Sequence, residues 1–233
     1  MKIELMQGDC LEMMKGIPDK SVDMILCDLP YGVTGCKWDN QIPLEPLWEQ
    51  YKRIIKDYKA IALFGVEPFS SYLRMSNIKQ YKYDWVWIKN RFTNQLNAKI
   101  RPMQAHELIS VFSIGYNENG IPQNRMVYYP QNLKNCSIIR SGNIRRWSMG
   151  YFKGQYVQTN TNYPTTILKF NCDTDYLHNT QKPVALLEYL IMTYTRVGET
   201  VLDNTMGSVS TGVACKKCNR NFIGIELFFR FCG

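Results

Sequence analysis

The sequence has few of the features that mark zinc-binding and disulfide-bonded proteins. Only two of its 233 residues are histidine, and its eight cysteines include a single CxxC pair, Cys215 and Cys218. A structural zinc site needs four ligands, and no second CxxC or His pair is present to complete one. We therefore expect no metal and interpret the cysteines as reduced thiols.

Long apolar runs are also missing. The run at 22–27 is interrupted by Asp23 and is far shorter than the roughly 20 residues that cross a bilayer. The first nine residues, MKIELMQGD, contain no apolar signal core. We therefore expect a cytoplasmic protein that does not associate with a membrane.

Acidic residues are absent from one long segment. Residues 119–172 contain no Asp or Glu but hold seven of the 28 basic residues: Arg125, Lys134, Arg140, Arg145, Arg146, Lys153 and Lys169. The rest of the chain has 21 basic against 20 acidic residues, so nearly all of the net charge of +8 lies here. One cationic, Tyr-rich segment in a neutral chain is typical of a protein that binds a polyanion, with an idle basic surface as the alternative.

The segments on either side of this basic stretch alternate between strand and helix patterns. Apolar runs predict seven strands, at 3–6, 22–27, 60–64, 83–88, 108–114, 200–202 and 222–225. Helical spacing predicts helices at 44–55, 69–78, 183–194 and 210–217. The alternation predicts an α/β fold with a seven-stranded, mostly parallel, doubly wound sheet covered on both faces. We expect one domain made of residues 1–118 and 173–233, with 119–172 inserted into it.

One predicted strand end carries residues suited to chemistry. Ligands of doubly wound sheets bind at the carboxyl ends of strands, and the strand at 22–27 is followed by DLPYG at 28–32. This gives a carboxylate, a turn made rigid by Pro30 and a flat aromatic face, which together suit a planar, amine-bearing group. A plain turn with a solvated Asp28 is the alternative.

A second candidate is VLDNTMGSVSTG at 201–212, a strand followed by a small-residue turn and a helix start. Glycines in such a turn let a ligand approach the backbone, and an acidic residue about 20 positions later can bind ribose hydroxyls. Glu226 lies 19 residues after Gly207. The glycine turn alone is weak evidence, but together with Glu226 it indicates an adenosine-containing cofactor.

The order of the motifs resembles that of one enzyme family. Along the chain follow GDC at 8–10, DLPYG at 28–32, HE at 106–107, the basic segment, HNTQKP at 178–183, LDNTMGSVSTG at 202–212 and IGIEL at 223–227. This order resembles the beta-type (permuted) DNA amino-methyltransferases, which modify adenine N6 or cytosine N4. The resemblance implies an S-adenosylmethionine-dependent DNA methyltransferase in which the domain 1–118 and 173–233 is catalytic.

The resemblance also implies roles for individual residues. Asp28 and the main-chain carbonyl of the Leu29 and Pro30 region would accept hydrogen bonds from the amine of a base flipped out of the duplex, while Tyr31 stacks on that base. Glu226 would bind the ribose, Asp9 would lie near the adenine, and Asp203 and Gly207 would surround the methionine portion. The implied cofactor-binding set is Asp9, Cys10, Lys182, Asp203, Asn204, Met206, Gly207, Ser208, Thr211 and Glu226.

The expected partner is double-stranded DNA. The basic segment 119–172 falls where the family keeps its target-recognition region, and Arg140, Arg145 and Arg146 are our candidates for phosphate or guanine contacts. Lys89 and Arg91, in the acid-free stretch 89–101, are further candidates. Adenine N6 is favoured over cytosine N4 because the catalytic motif begins with Asp. A restriction-modification enzyme of prokaryotic or phage style is expected, and a dimer is compatible with the resemblance.

Several departures from the family pattern bear on activity. Leu29 replaces the usual Pro, Thr205 replaces an aromatic residue, and Val209 replaces a second glycine, which matters if that position needs a positive φ. The chain stops seven residues after Glu226, where the family continues with a helix, which predicts a truncated end. The alternative hypotheses are a degenerate homologue that binds DNA without methylating it, and methylation of RNA or protein.

Overall fold

The computed structural model describes residues 1–32, 40–114, 125–146, 150–172 and 181–227. They belong to two compact units. The first is Met1–Tyr129 with Thr166–Gly233, and the second is Pro130–Thr165.

The described residues form ten strands. In chain order they are β1 (Ile3–Gln7), β2 (Val22–Cys27), β3 (Ile55–Gly65), β4 (Tyr81–Thr93), β5 (Gln104–Ser113), β6 (Lys134–Arg146), β7 (Gly150–Thr161), β8 (Ile167–Lys169), β9 (Thr200–Asp203) and β10 (Asn221–Glu226). Eight of them make one sheet in the order β1-β10-β9-β2-β3-β5-β4-β8. Strands β1, β10, β9, β2 and β3 are parallel, whereas β5 is antiparallel to both β3 and β4. The predicted α/β fold with a mostly parallel sheet is confirmed, with β8 as an additional strand.

Five α-helices lie in the described residues: α1 (Cys10–Met14), α2 (Leu44–Ile54), α3 (Phe69–Ser76), α4 (Val184–Tyr194) and α5 (Ser210–Lys217). The sequence did not predict α1, which has only five residues. It begins at Asp9, whose carboxylate accepts hydrogen bonds from the Leu11 and Glu12 amides at 2.9 and 3.2 Å. Within the described ranges, no helix has the length and apolar character needed to cross a bilayer.

The core has one layer on each face of the sheet. Alternate residues of β2 point to opposite sides, so that Met24 and Leu26 join one cluster and Ile25 and Cys27 the other. The first cluster includes residues of α4 and α5, and the second includes residues of α1, α2 and α3. Burial of each large side chain contributes about 1.5–3 kcal/mol, so both faces hold the strand ends in place.

The second unit is an antiparallel hairpin, in which the β6–β7 register runs from Lys134 opposite Thr161 to Arg146 opposite Gly150. It is shorter than the predicted insertion of 119–172. The amides of Val127 and Tyr129 donate to carbonyls of the first unit at 2.9 and 2.8 Å, and β8 pairs with β4. Five of the seven basic residues of the segment remain in the second unit.

Candidate active site

Four carboxylates lie at the carboxyl ends of four neighbouring parallel strands. Asp9 follows β1, Glu226 ends β10, Asp203 ends β9 and Asp28 follows β2. The register brings these ends to one edge of the sheet, since Gln7 pairs with Glu226 and Gly224 pairs with Asp203. The two candidate regions of the sequence therefore meet at one edge, where ligands of doubly wound sheets bind.

The Asp28 carboxylate has a donor on each oxygen. The Tyr31 hydroxyl donates to Oδ1 at 2.5 Å, and the Lys182 ammonium donates to Oδ2 at 2.6 Å. The Thr205 hydroxyl, where an aromatic residue was expected, donates to the Asp28 main-chain carbonyl at 3.1 Å. These three contacts fix the turn after β2 against the β9 end.

The rest of the DLPYG turn is anchored by apolar packing. Leu29 is buried in the core on one face of the sheet, and the Tyr31 ring packs on the Phe69 ring with centroids 5.2 Å apart. Pro30 joins the two. The structure therefore holds Asp28 and Tyr31 side by side at the strand end, as the sequence predicted for these neighbours.

Lys182 is shared between two carboxylates. Its Nζ lies 3.2 Å from Glu107 Oε2 in addition to the contact with Asp28, and Glu107 Oε1 lies 2.9 Å from Lys89 Nζ. Burial lowers the pKa of Lys182, but Asp28 and Glu107 outweigh it and raise that pKa above the ordinary value. Burial likewise opposes ionisation of Glu107, yet Lys182 and Lys89 lower its pKa. Lys182 and Glu107 are therefore both charged at neutral pH.

This charged row changes the interpretation of two residues. Lys89, a predicted DNA contact, is instead buried, because its ammonium is held by Glu107. Glu107, to which the sequence analysis assigned no chemical role, lies within the site. The feature that would have pointed to Glu107 is the β4–β5 register. In this register Glu107 pairs with Trp87, and Lys89 lies two residues further along β4, on the same face of the sheet as Glu107. Without that register, nothing in the sequence joins the two.

The glycine turn is held by hydrogen bonds to two carboxylates, Asp203 at the end of β9 and Glu226 at the end of β10. Asp203 accepts a hydrogen bond from the Thr205 amide at 3.1 Å and one from the Thr211 hydroxyl at 2.6 Å. Burial raises the pKa of Asp203 to about 7, although these two bonds oppose the shift. The Gly207 amide donates to Glu226 Oε2 at 2.9 Å. The turn thus links the ends of β9 and β10.

Val209 has the backbone conformation for which glycine is suited. Its φ is +61° and its ψ +19°, directly before α5, and its amide donates to the Met206 carbonyl at 2.8 Å. A β-branched residue is strained in this left-handed region. The departure noted in the sequence is therefore a strained position in the structure.

Three of the other predicted cofactor-binding residues have buried side chains. Cys10, Asn204 and Met206 are buried, and Asn204 Oδ1 accepts from the Tyr51 hydroxyl at 2.6 Å and the Cys27 thiol at 2.9 Å. The Asn204 Nδ2 has no hydrogen-bond partner among the described residues. Ser208 is half-buried, and its hydroxyl lies 2.9 Å from that of Ser210.

Three features of the edge fit a hydroxyl-bearing, adenosine-like ligand. Asp9 is exposed, Glu226 is half-buried, and a Cβ added at Gly207 would meet nothing nearer than the Thr205 carbonyl at 4.0 Å. Open space beside a glycine turn allows close approach to the backbone. In the described part of the chain, no group of three His, Cys, Asp or Glu residues is arranged to bind a metal ion.

The predicted DNA contacts on the hairpin lie on β6. Arg140 is exposed, and its Nε donates to Gln158 Oε1 across the hairpin at 3.1 Å. Arg145 and Arg146 lie opposite Tyr151 and Gly150 in the register. Arg91 is exposed on β4. Residues 178–180 of the HNTQKP motif and the predicted truncated end at 228–233 lie outside the described residues.

Comparisons with known proteins identify relatives of this chain. A family model described as DNA methylase matches residues 22–232. The Type II methyltransferase M.HinfI of Haemophilus influenzae is 24% identical over 250 residues, which cover 95% of this chain and 64% of that protein. The chain therefore spans less than two thirds of the length of this curated relative.

Solved structures show the same fold. The M1.HpyAVI–SAM complex has a TM-score of 0.63 and 24% identity, with 96% of this chain and 93% of that one covered. The PvuII DNA methyltransferase, which is cytosine-N4-specific, has a TM-score of 0.66 and 13% identity, with 98% and 83% covered. A structure of TTHA0409 from Thermus thermophilus complexed with S-adenosyl-L-methionine has a TM-score of 0.61 and 16% identity, with 98% and 89% covered.

Proposed function

The chain belongs to the N6/N4 DNA methylase family, and from this premise we propose that it transfers a methyl group from S-adenosylmethionine to the N6 amine of adenine in double-stranded DNA. One observation carries the proposal. The Asp28 turn and the Asp203–Gly207 turn lie at the ends of neighbouring parallel strands, β2 and β9, and the Thr205 hydroxyl bonds the Asp28 carbonyl at 3.1 Å. The two turns that we propose as amine acceptor and cofactor cradle are thus adjacent.

The cofactor would be held by the residues at the β1, β10 and β9 ends. When bound, S-adenosylmethionine supplies a methyl group on a sulfonium, which an amine nitrogen can attack. Glu226 would accept hydrogen bonds from the ribose hydroxyls, Asp9 would lie near the adenine, and the open Gly207 turn would admit the methionine portion. The similar M1.HpyAVI structure is a complex with SAM, which supports this choice of cofactor.

The target amine would be held by Asp28. Its Oδ1 now accepts from the Tyr31 hydroxyl, so that bond breaks when the Tyr31 ring turns to stack on a flipped base. Lys182 stays on Oδ2 and keeps the carboxylate oriented. With the amine hydrogens directed at Oδ1 and the Leu29 carbonyl, the nitrogen lone pair is freed from the ring and aligned for direct transfer, in which the N–C bond would form as the S–C bond breaks. One amine hydrogen would then leave as a proton, which Asp28 Oδ1 would accept and pass to water.

The DNA would be recognised by the basic hairpin. Arg140, Arg145 and Arg146 lie on β6, and residues 119–172 carry no acidic residue to repel phosphate. Because M.HinfI is a Type II methyltransferase, we include a restriction-modification setting in the proposal, with a cytoplasmic location. Asp at the start of the catalytic motif favours adenine, and the similarity to PvuII keeps cytosine N4 as the alternative.

A second candidate function is DNA binding without methylation. The observation that favours it is the strained backbone at Val209, next to the glycine turn that would hold the cofactor. Calorimetry with S-adenosylmethionine separates the two. Binding by the wild-type chain supports the methyltransferase, whereas no binding by the wild type and recovery in Val209→Gly would support the degenerate homologue.

The main test is methyl transfer from labelled cofactor to unmethylated duplex DNA. We expect N6-methyladenine in the digested product, and we expect Asp28→Ala to lower the rate by at least about 100-fold because it removes the amine acceptor. Asp57→Ala, which removes an exposed carboxylate paired with Lys20, is the control and should retain the wild-type rate. Transfer that survives Asp28→Ala would refute the site, and N4-methylcytosine would refute adenine.

A further inference from the structure

Glu107 lies in the middle of a row of alternating charges that ends at the proposed amine acceptor. The row runs from Lys89 on β4 through Glu107 on β5 and Lys182 before α4 to Asp28 after β2. The successive nitrogen–oxygen distances are 2.9, 3.2 and 2.6 Å. The side chains of Lys89, Glu107 and Lys182 are only 7%, 12% and 10% exposed, and Asp28 is 31% exposed. Side chains from β4, β5 and the segment before α4 are therefore linked in one row that ends at the Asp28 carboxylate.

Stability does not explain this row well. Buried charges lose their hydration, and a buried ion pair generally stabilises a fold no better than packed apolar side chains of the same size. The Lys182 ammonium also lies near two aromatic rings, with Nζ 5.1 Å from the Phe64 ring centroid and 6.0 Å from that of Tyr31, and such ring faces attract a cation. The row is better explained by what its exposed end, Asp28, does.

We propose that Glu107 is a positioning residue for methyl transfer: it anchors the Lys182 ammonium, so that Lys182 holds Asp28 Oδ2 and leaves Oδ1 for the target amine. This rests on the proposed function. A lysine ammonium is a mobile point charge on a four-carbon stem, and one carboxylate does not fix its position. Without Glu107, Asp28 would be the only carboxylate of the row, and the ammonium would compete with the amine for both of its oxygens.

The test compares Glu107→Gln with Glu107→Asp in steady-state methyl transfer. Gln keeps the size and an acceptor oxygen but loses the charge, and Asp keeps the charge on a shorter stem. We expect Glu107→Gln to lower kcat roughly 10- to 100-fold, because a carboxylate misplaced by about 1 Å costs about that much. The KM values for DNA and cofactor should change less than about twofold, since no ligand contact is lost. Glu107→Asp should recover part of kcat.

The matched control is Glu199→Gln. Glu199 Oε1 forms an ion pair with Lys59 Nζ at 2.5 Å, with the two side chains 24% and 11% exposed, at the amino end of β9 and away from the site. It should lose thermal stability and keep kcat. An active wild type in which Glu107→Gln loses no more kcat than Glu199→Gln, or raises both KM values instead, would overturn the positioning role alone. A wild type without transfer would overturn the proposed function and this inference together.

Discussion

At the scale of single residues, Val209 combines backbone strain with side-chain packing. Its φ of +61° lies in the left-handed region, which costs an L-residue with a Cβ about 1–2 kcal/mol. Val209 also packs against the core cluster that contains α4 and α5 residues. Replacement by glycine therefore relieves strain and removes packing at the same time, and a single substitution cannot distinguish the two.

We predict that Val209→Gly is more stable than Val209→Ala by about 1 kcal/mol, because both lack the isopropyl group and only alanine keeps the strained Cβ. Urea unfolding of both variants measures this difference. The same pair at Val213, inside α5, should show the opposite order, since glycine is the poorer helix residue. Equal stability of the two Val209 variants would mean that the position is not strained.

Asp203 makes stability depend on pH. Its pKa in the folded chain is raised to about 7 by burial, above the ordinary value of 3.8. Between these values the unfolded chain has lost a proton that the folded chain keeps, so the free energy of unfolding falls as pH rises from about 4 to about 7. This contribution is fully present below the lower pKa and is lost once pH passes the upper one.

We predict that Asp203→Asn flattens the stability profile over that window, by up to about 4 kcal/mol between its ends, since one pKa unit corresponds to about 1.4 kcal/mol. Asn can still bond the Thr205 amide and the Thr211 hydroxyl. Denaturant unfolding at a series of pH values measures the profile. The exposed Asp57→Asn should leave the slope unchanged, and a profile as steep in Asp203→Asn as in the wild type would contradict the buried proton.

The residues that the sequence could predict are those whose motif is local. Asp28 and Tyr31 are three positions apart, and Glu226 is related to Gly207 by the spacing of one helix and one strand. Lys182 and Asp28 are 154 positions apart, and their contact depends on the packing of the segment before α4 against β2. Such a contact leaves no pattern in a single sequence. The row through Glu107 was therefore not predictable.

At the scale of elements, hydrophobic periodicity predicted seven strands of the sheet. It did not predict the outermost strand, β8, or the antiparallel direction of β5. All seven predicted strands are present, because buried strands read as apolar runs. β8 was missed because it has three residues, of which only Leu168 is buried. The alternation of strands and helices gives no sign that β5 inserts antiparallel between β3 and β4, since that depends on pairing across the sheet.

The hairpin was missed for a different reason. β6 and β7 pair only with each other among the described strands, and the sequence of the second unit is polar with no clear period. No strand of the eight-stranded sheet lies between Pro130 and Thr165 in the described part of that unit, so we expect the sheet to fold without it.

We predict that replacing Pro130–Thr165 by a short Gly/Ser linker leaves the sheet domain folded and able to bind S-adenosylmethionine, while duplex binding weakens by at least about tenfold through loss of five basic residues. Thermal denaturation, calorimetry and electrophoretic mobility shift measure the three properties. A deletion variant that fails to fold would show that the hairpin is part of the core. Full DNA affinity in that variant would refute its assignment as the recognition element.

At the scale of the whole molecule, charge is distributed unevenly. Residues 119–172 carry +7 and the remainder +1, although the remainder contains most of the charged side chains. Many of those side chains neutralise each other in ion pairs, as Lys15 does with Glu12 and Lys20 with Asp57. The long-range field of the protein therefore comes mainly from one segment.

We predict a steep salt dependence of duplex binding that this segment controls. Replacing Arg140, Arg145 and Arg146 by Gln should reduce the slope of log K against log salt by about 2–3, because each phosphate contact contributes about 0.9. The matched control replaces three lysines that are paired with acidic residues in the sheet domain, Lys2, Lys15 and Lys20. An equal loss of slope in both triple variants would show that the charge acts without regard to location.

The separation of the hairpin from the sheet has a consequence for how such a protein diversifies. Substitutions in Pro130–Thr165 change no strand pairing in the eight-stranded sheet and none of the four carboxylates at its edge. Under the proposed assignment, a lineage that mutates or exchanges this segment acquires a new target sequence. The catalytic residues stay intact in every variant along the way. Selection would then act on the choice of target and on the chemistry through substitutions at different positions of the chain.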